Sequence, residues 1–271
     1  MPLLLLISLD GFRHDYVTPE NTPNILAIAE DGVHFTQGVR SQFPTVTMPN
    51  HVSILTGLHP ASHGIVDNQF TDPVFQQSYD FWNFSNDSIR AWESKDEKWY
   101  SGEPIWWVNE RAGRKSGNMR FPAADIRIRG TACSRNTSWL NFTEEEGWKA
   151  DFDVILSWFT DSEAPVNLAM WYIGQPDHLE HQTGAMSLEV IQLVQSIDRV
   201  IGHMKEKLLE ANLWEKLNVV ITGDHGHINS TYPNDIITLD NYSYLNDKLT
   251  GSSSTFIKPE SMSESEVVAR N

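Results

Sequence analysis

Three stretches that lie far apart in this 271-residue chain are apolar runs that stop at a carboxylate. They are Leu3–Asp10, Leu168–Asp177 and Leu217–His225. A short apolar run bounded by turn residues is typical of a strand buried on both faces, and in open α/β sheets the working groups follow the carboxyl ends of such strands. We therefore expect one site that contains Asp10, Asp177, His181, Asp224 and His225. Carboxylates gathered without Lys or Arg repel one another unless cations bind, so the pattern predicts a metal-dependent hydrolase.

Two pairs of these residues have spacings that favour metal binding. Asp177 and His181 are four residues apart, which places both on one side of a helical turn, and zinc accepts carboxylate and imidazole ligands together. An exposed aspartate with a capping histidine is the alternative. Asp224 and His225 are flanked by glycines, which permit tight turns beside a ligand, although a loop pair with no role has the same pattern.

Thr47 is a candidate nucleophile. It lies just before Met48 and Pro49, at the predicted start of the helix that contains His51–Leu58. Free N–H groups and the positive end of the helix dipole at such a position suit a phosphoryl group, and a bound metal would lower the pKa of the threonine hydroxyl. A plain N-cap threonine is the alternative interpretation.

The elements that must position these residues alternate between strands and helices. Further strands are predicted at Val33–Val39, Gly117–Phe121 and Ile236–Leu239. Helices are predicted at Pro23–Asp31, His51–Leu58, Pro104–Arg114, Glu144–Phe159, Ser187–Ala211 and Ser261–Asn271. The alternation predicts an α/β fold with a largely parallel central sheet and helices on both faces. Residues 69–143 are rich in aromatic side chains and weak in periodicity, so we interpret them as an insertion within one domain spanning residues 1–271.

The composition limits the classes of protein. Hydrophobic residues make up 40% of the chain, so it can bury a sizeable core. The formal net charge of −16 argues against binding a nucleic-acid polymer through its phosphates. No apolar segment reaches the roughly 20 residues that cross a bilayer, and the apolar start lacks the basic segment and cleavage site of a signal peptide. We interpret the chain as a domain whose leader and carboxyl-terminal part are missing.

The cysteine count and the glycosylation triplets point to different compartments. Cys133 is the one cysteine, which excludes an internal disulfide framework and favours an intracellular protein. The density of Asn-x-Ser/Thr triplets favours an extracellular or cell-surface location instead. The predicted glycosylation sites are Asn83, Asn136, Asn141, Asn229 and Asn241. A sixth triplet, at Asn86, is too close to Asn83 for both to be used readily.

Five motifs follow one another along the chain. They are LDGFR at Leu9–Arg13, FPTVTMPNH at Phe43–His51, TGLHPASHGIVDN at Thr56–Asn68, PDHLEH at Pro176–His181 and GDHGH at Gly223–His227. Together they resemble the ecto-nucleotide pyrophosphatase/phosphodiesterase family of the alkaline phosphatase superfamily, most closely its smaller members without accessory domains. The resemblance implies an alkaline-phosphatase-like fold and an extracellular two-zinc phosphodiesterase or nucleotide pyrophosphatase. It also implies a small phosphodiester or nucleotide as substrate, and it allows a membrane anchor in the missing carboxyl-terminal part.

The resemblance also implies roles for individual residues. The implied ligands of the first zinc are Asp10, Thr47, Asp224 and His225, and those of the second are Asp177 and His181. Thr47 would be the nucleophile, Asn68 would donate a hydrogen bond to a phosphoryl oxygen, and Met48 would pack against the substrate. Hydrolysis would then be two in-line displacements through a phospho-threonine intermediate.

Several positions depart from the family pattern. The second zinc of the family takes a further histidine from late in the domain, beyond the end of this chain. We therefore expect the chain alone to hold the first zinc better and to be poorly active. His227 stands where the family usually has methionine, and we do not assign it to that missing ligand. Glu180 stands where the family has glycine, and it either adds to the second site or, as we favour, faces solvent. Met48 replaces the usual phenylalanine beside the base, and Trp139 is the candidate for a base-stacking residue.

Two other functions remain compatible with the sequence. A phosphomonoesterase of the same superfamily would use the same metal ligands, whereas the Cys/Ser-x-Pro-x-Arg signature of a sulfatase is absent from the sequence. The departures at Met48, Glu180 and the missing histidine also allow a non-catalytic ectodomain that binds a partner.

Overall fold

A five-stranded sheet forms the centre of the computed structural model, which describes residues 2–81, 95–137 and 144–229 and the backbone of residues 249–250 and 256–257. The strands within the described residues are β1 (Leu3–Leu9), β2 (Gln69–Asp72), β3 (Gln77–Asp80), β4 (Ser116–Met119), β5 (Arg135–Thr137), β6 (Leu168–Ile173), β7 (Leu217–Gly223), β8 (Leu249–Thr250) and β9 (Phe256–Ile257). The central sheet has the order β5-β4-β6-β1-β7, and all its strands are parallel. Strands β2 and β3 form a separate antiparallel pair, as do β8 and β9.

Helices cover both faces of the central sheet. They are α1 (Pro23–Glu30), α2 (Thr47–Thr56), α3 (Pro60–His63), α4 (Ile105–Arg111), α5 (Glu145–Phe159), α6 (Asp177–Thr183) and α7 (Leu188–Glu210). Helices α1, α5 and α7 contribute to the hydrophobic core on one face, and α2 and α4 contribute to the core on the other. The predicted α/β fold, with its parallel sheet and two helical layers, is confirmed. Within the described residues, every helix is too short or too polar to cross a bilayer.

The two cores arise from the alternation of side chains along the central strands. In β1, Leu5, Ile7 and Leu9 point into the core with α1, α5 and α7, whereas Leu6 points into the core with α2 and α4. Successive side chains of a strand point to opposite faces, so a strand that is apolar at every position needs a helical layer on each face. Burial of both faces therefore explains why the sequence of β1 is a continuous apolar run.

The predicted strand at Val33–Val39 is wrong, because this segment is an exposed loop. Gly38 has φ of 72° and its N–H donates to the carbonyl of Phe35 at 2.8 Å, so a tight turn interrupts the segment. The alternating apolar residues that suggested a strand, among them Val33 and Phe35, are solvent-exposed. The predicted strand at Ile236–Leu239 and the predicted helix at Ser261–Asn271 lie outside the described residues.

The aromatic-rich stretch of residues 69–143 is joined to the central sheet rather than set apart from it. Its described part supplies β4 and β5, which extend the sheet beyond β6. The hairpin of β2 and β3 stacks Phe70 on Tyr79, with Trp99 packed edge-on against both rings. These rings and Trp106 belong to the core that covers one face of the sheet, which accounts for the density of aromatic residues.

The start of α1 is held by a carboxylate from α7. Asp198 is buried and accepts hydrogen bonds from the backbone N–H groups of Asn24 (3.1 Å) and Ile25 (2.8 Å), which have no partner within α1. We expect Asp198→Ala to lower the free energy of unfolding by about 1.5–3 kcal/mol, the range for hydrogen bonds to a charged group. Urea unfolding followed by circular dichroism measures this. The exposed Glu206 of the same helix provides the control, and an equal loss in Glu206→Ala would contradict the capping role.

Candidate metal centre

The carboxyl ends of three adjacent strands bring three aspartates to one edge of the sheet. Strands β1 and β7 pair with Leu9 opposite Gly223, so the next residues, Asp10 and Asp224, are neighbours. Strand β6 pairs with the other side of β1, and the turn after it leads to Asp177, whose N–H donates to the carbonyl of Asp10 at 3.0 Å. The structure thus places the three aspartates together, in the arrangement that the apolar runs predict.

A first cluster consists of Asp10, Asp224 and His225. The Nε2 atom of His225 lies 3.4 Å from Oδ1 of Asp10 and 3.5 Å from Oδ2 of Asp224, and both carboxylates are buried. The hydroxyl of Tyr172 donates to Oδ2 of Asp10, while Oδ1 of Asp224 accepts from the N–H of Gly11 at 3.1 Å. The other oxygen of each carboxylate, Asp10 Oδ1 and Asp224 Oδ2, has no hydrogen-bond partner in the described part of the chain. Each aspartate is therefore fixed through one oxygen and presents the other to the cluster.

A second cluster surrounds Asp177, the first residue of α6. Its Oδ1 atom lies 2.6 Å from Nε2 of His227, 3.5 Å from Nε2 of His181 and 3.9 Å from Nε2 of His225. The i, i+4 pair of Asp177 and His181 is on one side of a helical turn, as the spacing predicts. The side chain of His181 is 68% exposed, whereas that of Asp177 is 12% exposed. His225 lies between the two clusters and is nearer to the first.

The electrostatics of the first cluster favour a bound cation. Burial, followed by repulsion from Asp224 and Asp177, raises the pKa of Asp10 well above its ordinary value. Burial also raises the pKa of Asp224 to about 7. Among the described residues, the ion-pair partners of these three carboxylates are all histidines. A divalent ion would supply the missing positive charge, and oxygen and imidazole ligands in this number suit zinc. The residues present therefore fit a zinc site.

Thr47 is the first residue of α2, and Val46 is the N-cap residue, so Thr47 is not the capping threonine of the alternative interpretation. Thr47 is buried, and its carbonyl lies 2.8 Å from Nδ1 of His51. Nδ1 of His51 is also 3.4 Å from Oδ2 of Asp224, and its Nε2 is 2.9 Å from Oγ of Ser8. Burial lowers the pKa of His51 to about 3, which keeps the ring neutral. His51 thus links the start of α2 to the first cluster.

Asn68 also lies at the start of α2. Its Oδ1 accepts a hydrogen bond from the N–H of Met48 at 2.8 Å, and its side chain is buried. Because an N–H donor requires the oxygen of the amide, the NH₂ group of Asn68 is the end that can donate elsewhere. The orientation is compatible with the predicted donation to a phosphoryl oxygen.

Met48 does not support the predicted contact with substrate. Its side chain is only 1% exposed and belongs to the hydrophobic core with Val52 and Leu55 of the same helix. A side chain that is already packed on all sides offers little surface to a nucleotide base. Trp139, the candidate for base stacking, lies outside the described residues.

The preference for a solvent-facing Glu180 is wrong. Glu180 is 3% exposed, its Oε1 accepts a hydrogen bond from the hydroxyl of Tyr16, and burial raises its pKa. Its Oε2 lies 3.8 Å from Nε2 of His227. The sequence carried a signal for this position, because Asp177, Glu180 and His181 have i, i+3, i+4 spacing and so share one face of α6.

Two of the predicted glycosylation sites lie within the described residues. Asn136, in β5, and Asn229, after β7, are exposed. The side-chain oxygen of Asn136 accepts a hydrogen bond from Asn118 at 2.8 Å. The remaining predicted sites, with the triplet at Asn86, lie outside the described residues: Asn83, Asn141 and Asn241.

Sequence reasoning assigned no role to several side chains that shape this centre. Ser8, His51 and Tyr172 contact the first cluster or the start of α2, and Tyr16 fixes Glu180. Only His51 had a usable signal, since it follows Thr47 by one helical turn. His227 has no signal of its own beyond its place two residues after His225.

Comparison with known proteins gives concordant similarities. Residues 4–266 match the family model of type I phosphodiesterase / nucleotide pyrophosphatase. Human ectonucleotide pyrophosphatase/phosphodiesterase family member 5 is 36% identical over 239 residues, which are 88% of this chain and 47% of the relative. Bis(5'-adenosyl)-triphosphatase enpp4 of Xenopus laevis is 32% identical over 252 residues, which are 91% of this chain and 53% of the relative. The chain thus spans about half the length of these curated relatives.

Solved structures give the same result for the fold. An inactive threonine-to-alanine variant of murine ectonucleotide pyrophosphatase/phosphodiesterase 5, in complex with AMP, superposes with a TM-score of 0.81 at 28% sequence identity. That match covers 99% of this chain and 69% of the murine chain. The human counterpart superposes with a TM-score of 0.78 at 33% identity, covering 92% of this chain and 63% of the human one.

Proposed function

The chain belongs to the type I phosphodiesterase / nucleotide pyrophosphatase family, and on that premise we propose that it is a zinc-dependent hydrolase of phosphodiester and pyrophosphate bonds in extracellular nucleotides. The observation that carries the proposal is a pair of buried carboxylate oxygens beside His225 at the edge of the sheet, Asp10 Oδ1 and Asp224 Oδ2, which have no hydrogen-bond partner within the described residues. A buried carboxylate oxygen without a partner is costly, and a site built for a cation explains that cost.

The proposed ligands divide into two sets. One zinc would be held by Asp10, Thr47, Asp224 and His225, and a second by Asp177 and His181. When bound, the two ions neutralise charge on the phosphoryl group, lower the pKa of the threonine hydroxyl and activate water. No part of the described chain places Lys or Arg in an ion pair with the three aspartates, so this charge has to come from the ions.

Thr47 then performs the chemistry of the first displacement. Its Oγ attacks phosphorus, the Oγ–P bond forms as the bond from phosphorus to the leaving oxygen breaks, and the hydroxyl proton is lost to water. The product is a phospho-threonine. In the second displacement a water oxygen attacks the same phosphorus from the opposite side, the P–Oγ bond breaks and Thr47 regains a proton.

The start of α2 stabilises the charge that develops on the phosphoryl oxygens. The positive end of the helix dipole favours an anion there, and the N–H of Thr47 is the first-turn donor left for it, because the N–H of Met48 binds Asn68, Pro49 has none and that of Asn50 donates to the carbonyl of Val46. The NH₂ group of Asn68 adds a hydrogen-bond donor, in the role that oxyanion-hole side chains have in acyl transfer. The hydrogen bond from the N–H of Met48 fixes the orientation of that amide.

The reaction class is tested by comparing two chromogenic substrates in the presence of zinc. We expect the chain to hydrolyse a nitrophenyl nucleotide diester faster than nitrophenyl phosphate, because the matched family and its human member 5 are named as phosphodiesterases and nucleotide pyrophosphatases. The measured quantity is kcat/KM for each substrate. A preference for the monoester would favour a phosphatase of the same superfamily. Zinc binding without turnover of either substrate would favour the non-catalytic ectodomain.

The proposed location is extracellular or cell-surface. Relatives are named as ectonucleotide enzymes, and the residues Asn136 and Asn229 are exposed, as a glycosylated asparagine must be. A membrane anchor outside the described residues remains compatible with this location.

A further inference from the structure

The residues around Asp177 include a metal donor, His227, at a position where the family pattern has methionine. His227, after β7, directs Nε2 to within 2.6 Å of Asp177 Oδ1, and its ring lies edge-on to that of His181 with 4.7 Å between centroids. Asp177, His225 and His227 form a group whose donor atoms all lie within 4.8 Å of one another. His225 is closer to Asp10 and Asp224 than to Asp177, so it belongs to the first zinc. The ion pairs of His227 are with Asp177 and Glu180, neither of which belongs to the first cluster.

We propose that His227 is a protein ligand of the second zinc, alongside Asp177 and His181. The inference rests on the proposed function, since it concerns the same two-zinc centre. Ligands of a tetrahedral zinc at about 2.0–2.2 Å lie about 3.3–3.6 Å from one another. His181 and Asp177 already have this separation at 3.5 Å, and His227 and Asp177 are closer at 2.6 Å, as a hydrogen bond requires. Replacing that bridging proton with a cation needs an increase of about 0.7–1.0 Å in the distance between His227 Nε2 and Asp177 Oδ1.

An unpartnered oxygen of Glu180 points to the same position. Oε2 of Glu180 is buried, has no hydrogen-bond partner in the described residues and lies 3.8 Å from Nε2 of His227. Oε1 is held by Tyr16, so the carboxylate cannot turn to solvent without losing that bond. A second buried carboxylate aimed at the imidazole that also contacts Asp177 indicates a place where positive charge is expected.

The backbone of His227 is fixed in a way that suits a ligand. The guanidinium of Arg13 donates from Nη1 to the carbonyl of His227 at 2.8 Å, and Nε and Nη2 of the same group bind Asp15. Arg13 therefore anchors the residue by its main chain and leaves the imidazole free to face Asp177. The consequence is that this 271-residue chain holds three protein donors for the second zinc, one more than the family resemblance assigns to it.

The test is the zinc stoichiometry and affinity of the chain, measured by competition with a chromophoric chelator and by metal analysis after dialysis. We expect two zinc ions per wild-type chain. We expect one zinc ion per His227→Met chain, because the zinc affinity of the second site should fall by more than about 100-fold. Loss of a residue that only hydrogen-bonds to a ligand costs less, roughly 10–100-fold in metal affinity. Cobalt substitution gives a second readout, because the visible spectrum should lose the contribution of one site. Circular dichroism shows whether the variant is folded.

Two further variants keep the result decisive. His227→Asp supplies a carboxylate oxygen in place of the imidazole nitrogen and should recover part of the zinc binding at the second site, whereas a purely structural role of the histidine would not be restored. His178→Gln, which changes an exposed histidine of α6 itself, should bind two ions like the wild type. A His227→Met chain that binds both ions within about 100-fold of the wild-type affinity would overturn the inference and leave the proposed function intact. A wild-type chain that binds one zinc would also overturn the inference about His227 and leave the proposed function intact. A wild-type chain that binds no zinc would overturn both the inference and the proposed function.

Discussion

Replacing Thr47 with alanine is expected to lower kcat for a diester substrate by a factor on the order of 10³–10⁶, the range for loss of a nucleophile that works with other groups as a unit. The residue supplies the attacking oxygen in the proposed mechanism, and no neighbouring hydroxyl on the described chain occupies the same place at the start of α2. Stability should change little, because Val46 is the N-cap residue and alanine is favourable in a helix. The measurements are steady-state kinetics with zinc and thermal unfolding of both proteins.

Two controls separate chemistry from packing. Thr45→Ala changes an exposed threonine two residues away and should retain wild-type kinetics. Thr47→Ser keeps a hydroxyl and should retain a part of the activity, with a phosphorylated residue 47 detectable by mass spectrometry after rapid acid quenching. Equal rates for the wild type and Thr47→Ala would rule out the phospho-threonine route. The inactive threonine-to-alanine form of the murine relative shows that a threonine matters in that protein, and the variant tests whether Thr47 matters in this one.

The positions of the three aspartates could be predicted from sequence because they depend only on strand order and direction. Asp10, Asp177 and Asp224 each follow an apolar run, and parallel strands place their carboxyl ends at one edge of the sheet. The structure adds the order of the strands, with β6 and β7 on either side of β1. Buried strands and long amphipathic helices such as α7 were likewise predictable, because their periodicity is set by burial.

The side chains around the aspartates could not be predicted, because their contacts depend on tertiary packing. Glu180 faces Tyr16 rather than water because α6 packs against the segment that follows β1, which periodicity does not reveal. Met48 lies in the core because α2 turns that side of its first turn toward the sheet. Val33–Val39 alternates like a strand, but the turn at Gly38 directs it into solvent. In each case the sequence pattern describes the residue's local surroundings, whereas its burial or exposure depends on how the neighbouring element packs.

The site as a whole illustrates a conflict between stability and function. Three carboxylates near one another are unfavourable in a metal-free protein, because two of them are buried with an unpartnered oxygen. The same arrangement is favourable once cations bind, and binding then adds to the free energy of unfolding by mass action. The fold therefore tolerates a local cost that only the occupied site removes.

Asp10→Asn is expected to separate the cost of the clustered carboxylates in the metal-free protein from the stabilisation that metal binding gives. We expect the variant to lose activity by about 10³-fold or more, because an amide is a poor zinc ligand and the first site holds the nucleophile. The metal-free variant should nevertheless be at least as stable as the wild type. Burial raises the pKa of Asp10 in the folded chain, so the folded chain binds that proton more tightly than the unfolded chain. Metal-free wild type therefore loses stability as pH rises above the ordinary aspartate pKa of about 3.9, and the variant lacks this contribution.

The order of stability should reverse when zinc is added. At a zinc concentration of 100 times the dissociation constant, binding contributes about 2.7 kcal/mol to the wild type, and the variant gains less because its first site is impaired. Thermal unfolding of the wild type and of Asp10→Asn at pH 8 shows which protein is more stable. It is measured first with a chelator and then with excess zinc. The exposed Asp31 gives the matched control, since Asp31→Asn removes one carboxylate that belongs to neither cluster and should follow the wild type in both conditions. If Asp10→Asn were less stable than the wild type without metal, Asp10 would be a structural residue held by Tyr172, and the repulsion that we infer at this edge of the sheet would be absent.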